Sequence, residues 1–181
     1  IGNGIVGLTA ALMFANNRMS VCVLDSAHHN ARKTNTGRHF SLSISSKAIL
    51  SSAGVWEDLL STDHGVVNSI ETWEEGELNR VTFDLPDLYL PPMSWICNEQ
   101  QLLRVLKTHV DRNKISRVCG SISSDTSIEP GSPLLLEDGT SIKSGLTVVA
   151  DGRNSLMRSL LGIQFRSRGF GQSAIVANVV T

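Results

Sequence analysis

Tyrosine occurs once in this 181-residue chain, cysteine three times, proline five times, and aromatic residues make up only 5%. Cys22, Cys97 and Cys119 are odd in number, widely spaced and without a CxxC pair. Neither a disulfide framework nor a zinc ribbon is indicated, and a reducing compartment is the simplest reading. No charge of one sign dominates, since 16 basic and 17 acidic side chains leave a formal net charge of -1. A general polyanion binder needs clustered cations that release counterions, so nucleic acid is not an expected partner. No run approaches the roughly 20 apolar residues of a membrane-spanning helix. No signal-peptide pattern opens the chain and no N-x-S/T acceptor occurs. A cytoplasmic protein is therefore expected. What is present is a 41% apolar fraction, enough to offset the entropy of ordering and to exclude disorder as the overall state.

Both ends read as cut. The opening residues Ile1-Gly-Asn-Gly-Ile-Val-Gly7 have the form of a loop that follows a buried strand, and the closing stretch Ser173 to Thr181 is apolar and β-branched without a turn or cap. Part of a longer protein is expected, with a central sheet too incomplete to hold a ligand tightly alone. Between the ends, Ile5, Leu8, Leu12 and Ala15 are spaced for a helix that begins inside the glycine loop. Residues 20–25 then form a short apolar run ending in an acid, the pattern of a buried parallel strand. Residues 28–36 read as an exposed loop. A helix is expected over 45–53, with Gly54 as its left-handed cap. Two short strands surround the polar turn 74–79, after which Pro91-Pro92 breaks the chain. Asn98 and Gln101 resemble a capping box for a helix whose core face is Leu102, Leu103, Leu106 and Val110. Further strands are expected at 115–118, 134–136 and 146–150, with a turn at 137–140. The order is β-α-β, then mixed hairpins and helices, which is an α/β plan with an antiparallel insertion.

Gly2, Gly4 and Gly7 make a GxGxxG motif in which each glycine meets a separate steric demand, namely a tight turn, close approach of a pyrophosphate, and close packing of helix on strand. Alone, the motif is weak. Its context strengthens it, because a helix and a buried strand follow and the strand ends in Asp25, 18 positions after Gly7. An acid about 20 residues on is where ribose hydroxyls are bound. The fingerprint does not choose between a nicotinamide and a flavin, since both carry the same ADP half. A second apolar run, 146–150, leads into Asp151-Gly152 and a short helix over 155–161, with Asp151 aimed at ligand hydroxyls and Gly152 permitting a sharp turn.

These residues, GNGIVG, Asp25, Gly37-Arg-His-Phe-Ser-Leu-Ser43, Ala53-Gly-Val-Trp56 and Ala150-Asp-Gly-Arg-Asn-Ser155, together resemble the FAD-dependent aromatic hydroxylases of the para-hydroxybenzoate hydroxylase fold, and within them the ubiquinone-biosynthesis hydroxylases. Glu71-Thr-Trp-Glu74, Val81-Thr-Phe-Asp84, Leu88-Tyr-Leu-Pro91 and Gly171 to Val179 carry the finer likeness. The resemblance implies a Rossmann-like FAD-binding fold of the GxGxxG type with an inserted antiparallel β region on the substrate side, truncated at both ends. The Rossmann-like parts fall at about 1–70 and 99–165, the insertion at about 70–95, and the start of a substrate-side sheet at about 170–181.

It further implies FAD as cofactor, NAD(P)H as reductant, and O2 with an aromatic or quinone substrate, the whole protein being a monooxygenase acting on a ubiquinone precursor. Asp25 maps to the ribose-binding acid, Arg38 to the arginine that approaches the flavin nucleotide, and Asp151 and Gly152 to the Asp-Gly motif that contacts FAD and is linked to NAD(P)H use, with Arg158 in the helix behind. Peripheral attachment to the inner membrane and a complex of ubiquinone-biosynthesis enzymes also follow from the likeness. Other FAD-dependent oxidoreductases or halogenases of this fold, and non-catalytic prenyl- or protein-binding relatives, are the alternatives. The chain departs from the family at Asn98 to Gln101, so no flavin contact is carried over to that helix start. No catalytic base is named.

Other features carry less. The five histidines show no metal-ligand spacing, Ser155 is not the centre of GxSxG and suits a helix start, and Glu74-Glu75 reads as a solvated turn. Trp56, Trp73 and Trp95 are expected mainly in the core, with Trp73 the candidate for facing substrate.

Overall fold

The computed structural model describes residues 1–25, 37–74, 76, 79–84, 91–129 and 131–173. Two compact units share the chain: one comprises Ile1–Gly7, Leu24–Lys33 and Arg117–Thr181, the other Leu8–Val23 and Thr34–Ser116. The elements in order are α1 (Ile5–Asn16), β1 (Cys22–Asp25), β2 (His39–Ser43), α2 (Ile44–Ser52), α3 (Trp56–Leu60), β3 (His64–Val67), β4 (Ser69–Trp73), β5 (Arg80–Asp84), β6 (Ser94–Asn98), α4 (Glu99–Arg112), β7 (Ser116–Cys119), β8 (Leu134–Leu135), β9 (Ser141–Ile142) and α5 (Leu156–Leu160). The expected loop at 28–36 and the expected closing strand, apart from Ser173, lie outside the described residues.

The second unit is organised by β6, which lies between β2 and β3 and pairs antiparallel with both. Trp95 and Cys97 of β6 are buried, as is Leu42 of β2. Trp95 meets Trp56 edge to face, ring centroids 5.0 Å apart, a contact worth about 0.5–1.5 kcal/mol beyond the area it buries. The Lys47 ammonium sits 5.1 Å from the Trp95 ring and 5.8 Å from Trp56. Burial pushes the Cys97 thiol up, so this cysteine behaves as a small apolar group. Strand β6 runs directly into α4, where the Asn98 side-chain oxygen accepts from the Gln100 and Gln101 N–H groups, the cap that the sequence predicts. Leu102, Leu106 and Val110 then face the core, while Leu103 is only half-buried.

At the far end of α4, His109 Nε2 and Arg112 Nη1 both contact Asp58 Oδ2 of α3, at 2.8 and 3.0 Å. Hydrogen bonds from His109 and then Arg112 hold the Asp58 carboxyl below its ordinary value of 3.8. A depressed carboxylate contributes stability above its unfolded pKa and loses it as pH falls through the folded one. The stability difference between the parent protein and Asp58→Asn should therefore be present at neutral pH and disappear below the ordinary carboxylate range. Urea unfolding across a pH series measures it, and a difference that persists unchanged in strong acid would contradict the assignment.

Among the described residues four helices end in one hydrogen-bond pattern. After α1, Met19 N–H reaches the Phe14 carbonyl and Arg18 N–H the Ala15 carbonyl; after α2, Val55 reaches Leu50 and Gly54 reaches Ser51; after α4, Ile115 reaches Val110 and Lys114 reaches Asp111; after α5, Ile163 N–H reaches the Arg158 carbonyl and Gly162 N–H the Ser159 carbonyl. This is the Schellman motif, which places its penultimate residue in the left-handed region. Gly54 and Gly162 occupy it at φ 77° and 65°, but Arg18 and Lys114 adopt φ 62° and 52° with side chains attached. That conformation costs a non-glycine residue about 1–2 kcal/mol. Arg18→Gly should recover about 1 kcal/mol, read as a raised denaturation midpoint, whereas an unchanged or lower midpoint would show that Arg18 repays its strain elsewhere.

The β4–β5 hairpin pairs Ile70 with Phe83, Thr72 with Val81 and Trp73 with Arg80. It is the expected antiparallel pair around 74–79, and every residue of both strands is exposed. Arg80 Nη1 donates to Glu71 Oε1 at 3.2 Å, and its guanidinium lies 5.6 Å over the Trp73 ring. Trp56 and Trp95 are core residues as expected; Trp73 is 60% exposed.

Strands β1 and β7, whose Leu24–Asp25 and Arg117–Cys119 belong to the first unit, lie side by side, and Gly120 N–H donates to the Asp25 carbonyl just past the pairing. Leu24, Ile122, Leu136 and Met157 form the core, with Ile1, Val118, Leu134, Ile142 and Leu160 packed around it. The β8–β9 hairpin closes through the predicted 137–140 turn, where Asp138 Oδ1 accepts from Thr140 N–H at 2.8 Å. Contrary to expectation, residues 146–150 are not a buried strand: Leu146 is 66% exposed, and the segment belongs to none of the strands. Among the described residues its ladder-type contacts go to Ile1 alone, and one partner residue cannot build a ladder.

Candidate functional site: a glycine turn beside two acids

Backbone bonds place the site. Ile1 donates to the Val148 carbonyl at 2.7 Å and accepts from Ala150 N–H at 2.8 Å, while Gly2 N–H donates to the Leu24 carbonyl at 2.9 Å. The Ile1-Gly2 segment thus has the end of β1 on one side and 148–150 on the other. Asp25 and Asp151, each one residue past those contacts, flank the glycine turn.

The three glycines differ in what surrounds them. Gly2 has φ 112°, and a Cβ there would collide with the carbonyl of Ala150. A Cβ on Gly7 would collide with the carbonyl oxygen of Gly2, so the helix lies directly on the turn. At Gly4 a Cβ would meet, among the described residues, no atom within 4 Å beyond its own chain neighbours. The outer glycines are required by the protein's own packing; the middle one borders open space, where a bulky anion could approach the backbone. Helix α1 starts at the next residue, so the N–H groups of its first turn and the positive end of its dipole lie at that open face.

Asp25 is half-buried, and its Oδ2 accepts a hydrogen bond of 2.8 Å from Asn3 Nδ2. Sequence reasoning missed Asn3, a middle residue of the motif; an amide within the glycine loop and an acid at the end of the following strand were the available signal. Asp151 Oδ2 accepts from Met157 N–H at 3.1 Å, and Ser155 Oγ accepts from Arg158 N–H at 2.9 Å. Both side chains therefore cap α5, and between them Gly152 takes φ 89°. Arg158 lies with its guanidinium 4.1 Å over the Phe165 ring and donates to the Arg153 carbonyl.

Six of the seven residues singled out, Gly2, Gly4, Gly7, Asp25, Asp151 and Gly152, belong to the first unit. Arg38 belongs to the second. It is exposed, stacks 4.8 Å over the Phe40 ring, and its carbonyl accepts from Glu99 N–H, extending the β2–β6 ladder to the start of α4.

The first unit fits the ADP half of a dinucleotide, with an open backbone cradle at Gly4 for the diphosphate and an acceptor-only carboxylate beside it for ribose hydroxyls. The chain is 29% identical over 187 residues to 3-demethoxyubiquinol 3-hydroxylase of Escherichia coli (strain K12), covering 99% of this chain and 47% of that protein. It is 27% identical over 184 residues to ubiquinone hydroxylase UbiL of Rhodospirillum rubrum, covering 99% and 42%. The chain thus spans less than half the length of these relatives. Among solved structures, 2-methyl-3-hydroxypyridine-5-carboxylic acid oxygenase superposes with TM-score 0.70 at 21% identity over 90% of this chain and 41% of its own. Pseudomonas aeruginosa PqsL, in complex with 2-aminobenzoylacetate, superposes with TM-score 0.73 at 20% identity over 93% and 46%. These two show a shared fold. The family described as FAD binding domain matches residues 1–181, from end to end, and the chain belongs to it.

Proposed function

We propose that this chain is the nucleotide-holding part of an FAD-dependent monooxygenase that hydroxylates the aromatic or quinol ring of a ubiquinone precursor, using NAD(P)H and O2. The observation that supports this most is the match, over 99% of the chain, to two proteins named as ubiquinone or demethoxyubiquinol hydroxylases. In this reading the turn at Gly4 and the first N–H groups of α1 hold the diphosphate. Asp25 accepts from the adenosine ribose, Arg38 approaches the flavin nucleotide, and Asp151 with Gly152 contacts FAD while bracing α5. FAD, when bound, supplies the oxygen-activating chemistry that no amino-acid side chain provides. The chain's own contribution is to bind, to orient, and to keep water from the reacting centre.

A lipid-tailed ring would bring a cytoplasmic enzyme to the membrane surface and beside other enzymes of the same pathway. Among the described residues, no helix is long and apolar enough to cross a membrane. The test is to purify the full-length protein, record its visible spectrum, and follow NAD(P)H oxidation with a prenylated phenol. Bound flavin and a product carrying one added oxygen atom are expected. A colourless protein, or oxidation that never adds oxygen to the ring, would overturn the proposal.

A further inference from the structure

Asn3 is neither of the things expected at a middle position of a glycine turn, a small filler or a solvent-facing side chain. Its amide reaches across 22 residues of sequence to Asp25, Nδ2 to Oδ2 at 2.8 Å. A carboxylate can only accept, so the amide nitrogen must be the atom that faces it. That orientation leaves Asn3 Oδ1 buried and, among the described residues, without a donor. An unsatisfied buried acceptor opposes folding, so stability alone does not favour asparagine here. What the asparagine secures is the orientation of Asp25.

We infer that Asn3 is a positioning residue for ribose recognition: it fixes one carboxylate oxygen of Asp25 and so presents the remaining acceptor sites in a single orientation. This rests on the reading of Asp25 as the ribose-binding acid. A carboxylate offers about four lone-pair sites, and Asn3 uses one, leaving enough for a diol. Without the amide the carboxylate samples several rotamers, and a ligand must order it on binding. The chemistry concerned is a vicinal diol on a nucleotide whose diphosphate lies at Gly4.

The experiment uses the full-length protein, stripped of flavin and titrated with FAD by the quenching of flavin fluorescence. Asn3→Leu keeps the volume while removing both the donor and the orphaned acceptor. Asn3→Leu and Asn3→Ala should each weaken FAD binding roughly tenfold, while the apoprotein's thermal midpoint holds or, for leucine, rises. Asn3→Asp should weaken binding further, because it sets a second negative charge against Asp25. In an Asp25→Ala background the Asn3 substitutions should change affinity less than about twofold, the signature of a residue that acts through another.

Equal penalties in both backgrounds, or none in either, would overturn the assignment of Asn3 while leaving FAD binding intact. A drop in apoprotein stability that accounts for the lost affinity would do the same. If the parent protein takes up no FAD, the reading of Asp25 fails and this inference fails with it.

Discussion

Gly7→Ala is expected to yield a full-length protein that is less stable and purifies without flavin, while Gly4→Ala yields one that is as stable as the parent when empty and equally poor at holding FAD. The two glycines sit three residues apart, yet their surroundings differ. A methyl at Gly7 has nowhere to go, because the Gly2 carbonyl occupies its position and that carbonyl belongs to backbone already tied to Leu24. The helix must lift off the turn. Overpacking of this kind costs about 1–3 kcal/mol or more, and the displaced turn loses its ligand geometry as well. At Gly4 the methyl meets nothing within 4 Å, and the backbone there is not in the left-handed region. Among the described residues nothing stands in its way, so the expected effect falls on a ligand. Its effect on FAD affinity should be roughly 10- to 100-fold. Thermal midpoints of the apoproteins together with FAD titrations check the pair. Should Gly4→Ala bind FAD as the parent does, the diphosphate does not lie where the turn suggests.

Asp25→Ala should be the most damaging change among the polar side chains of the site. Hydrogen bonds to a charged group are worth about 1.5–3 kcal/mol when lost, which corresponds to a roughly 10- to 150-fold higher Kd for FAD. The empty protein should fold normally, since the Asp25 backbone bond to Gly120 N–H survives the substitution. Equilibrium titration with FAD measures the effect. Unchanged affinity would remove Asp25 from the binding site, and with it the strongest reason for reading the glycine turn as a nucleotide site.

How much of this was legible in the sequence depends on the distance over which each feature is determined. Helices α1 and α4 could be read because their apolar spacing and the Asn98 cap are local. The glycine turn could be read because each glycine answers a steric demand set within a few residues. Strand β6 could not: Ser94 to Asn98 is a strand because β2 and β3 pair with it on its two sides, and nothing within those five residues announces either neighbour. Helix α3 is too short for periodicity to show. The 146–150 segment misled for the opposite reason, since an apolar, β-branched run states a preference for a ladder but cannot supply its partner. Asn3 and Asp151 belong with β6. Their side chains are committed to Asp25 and to α5 by contacts that no spacing rule contains.

The β4–β5 hairpin carries a separate consequence. In most sheets a slip of one residue is forbidden because it would turn the buried face outward. Here both faces are already wet, so solvent exerts little preference between the observed alignment and its neighbours. Among the described residues, a side-chain contact that marks the alignment is made by Arg80, bonded to Glu71 and lying over Trp73 on the opposite strand. A single guanidinium therefore acts as the index pin of the ribbon. Shortening that side chain would remove this marker and leave the ribbon's alignment to its turn and its backbone ladder.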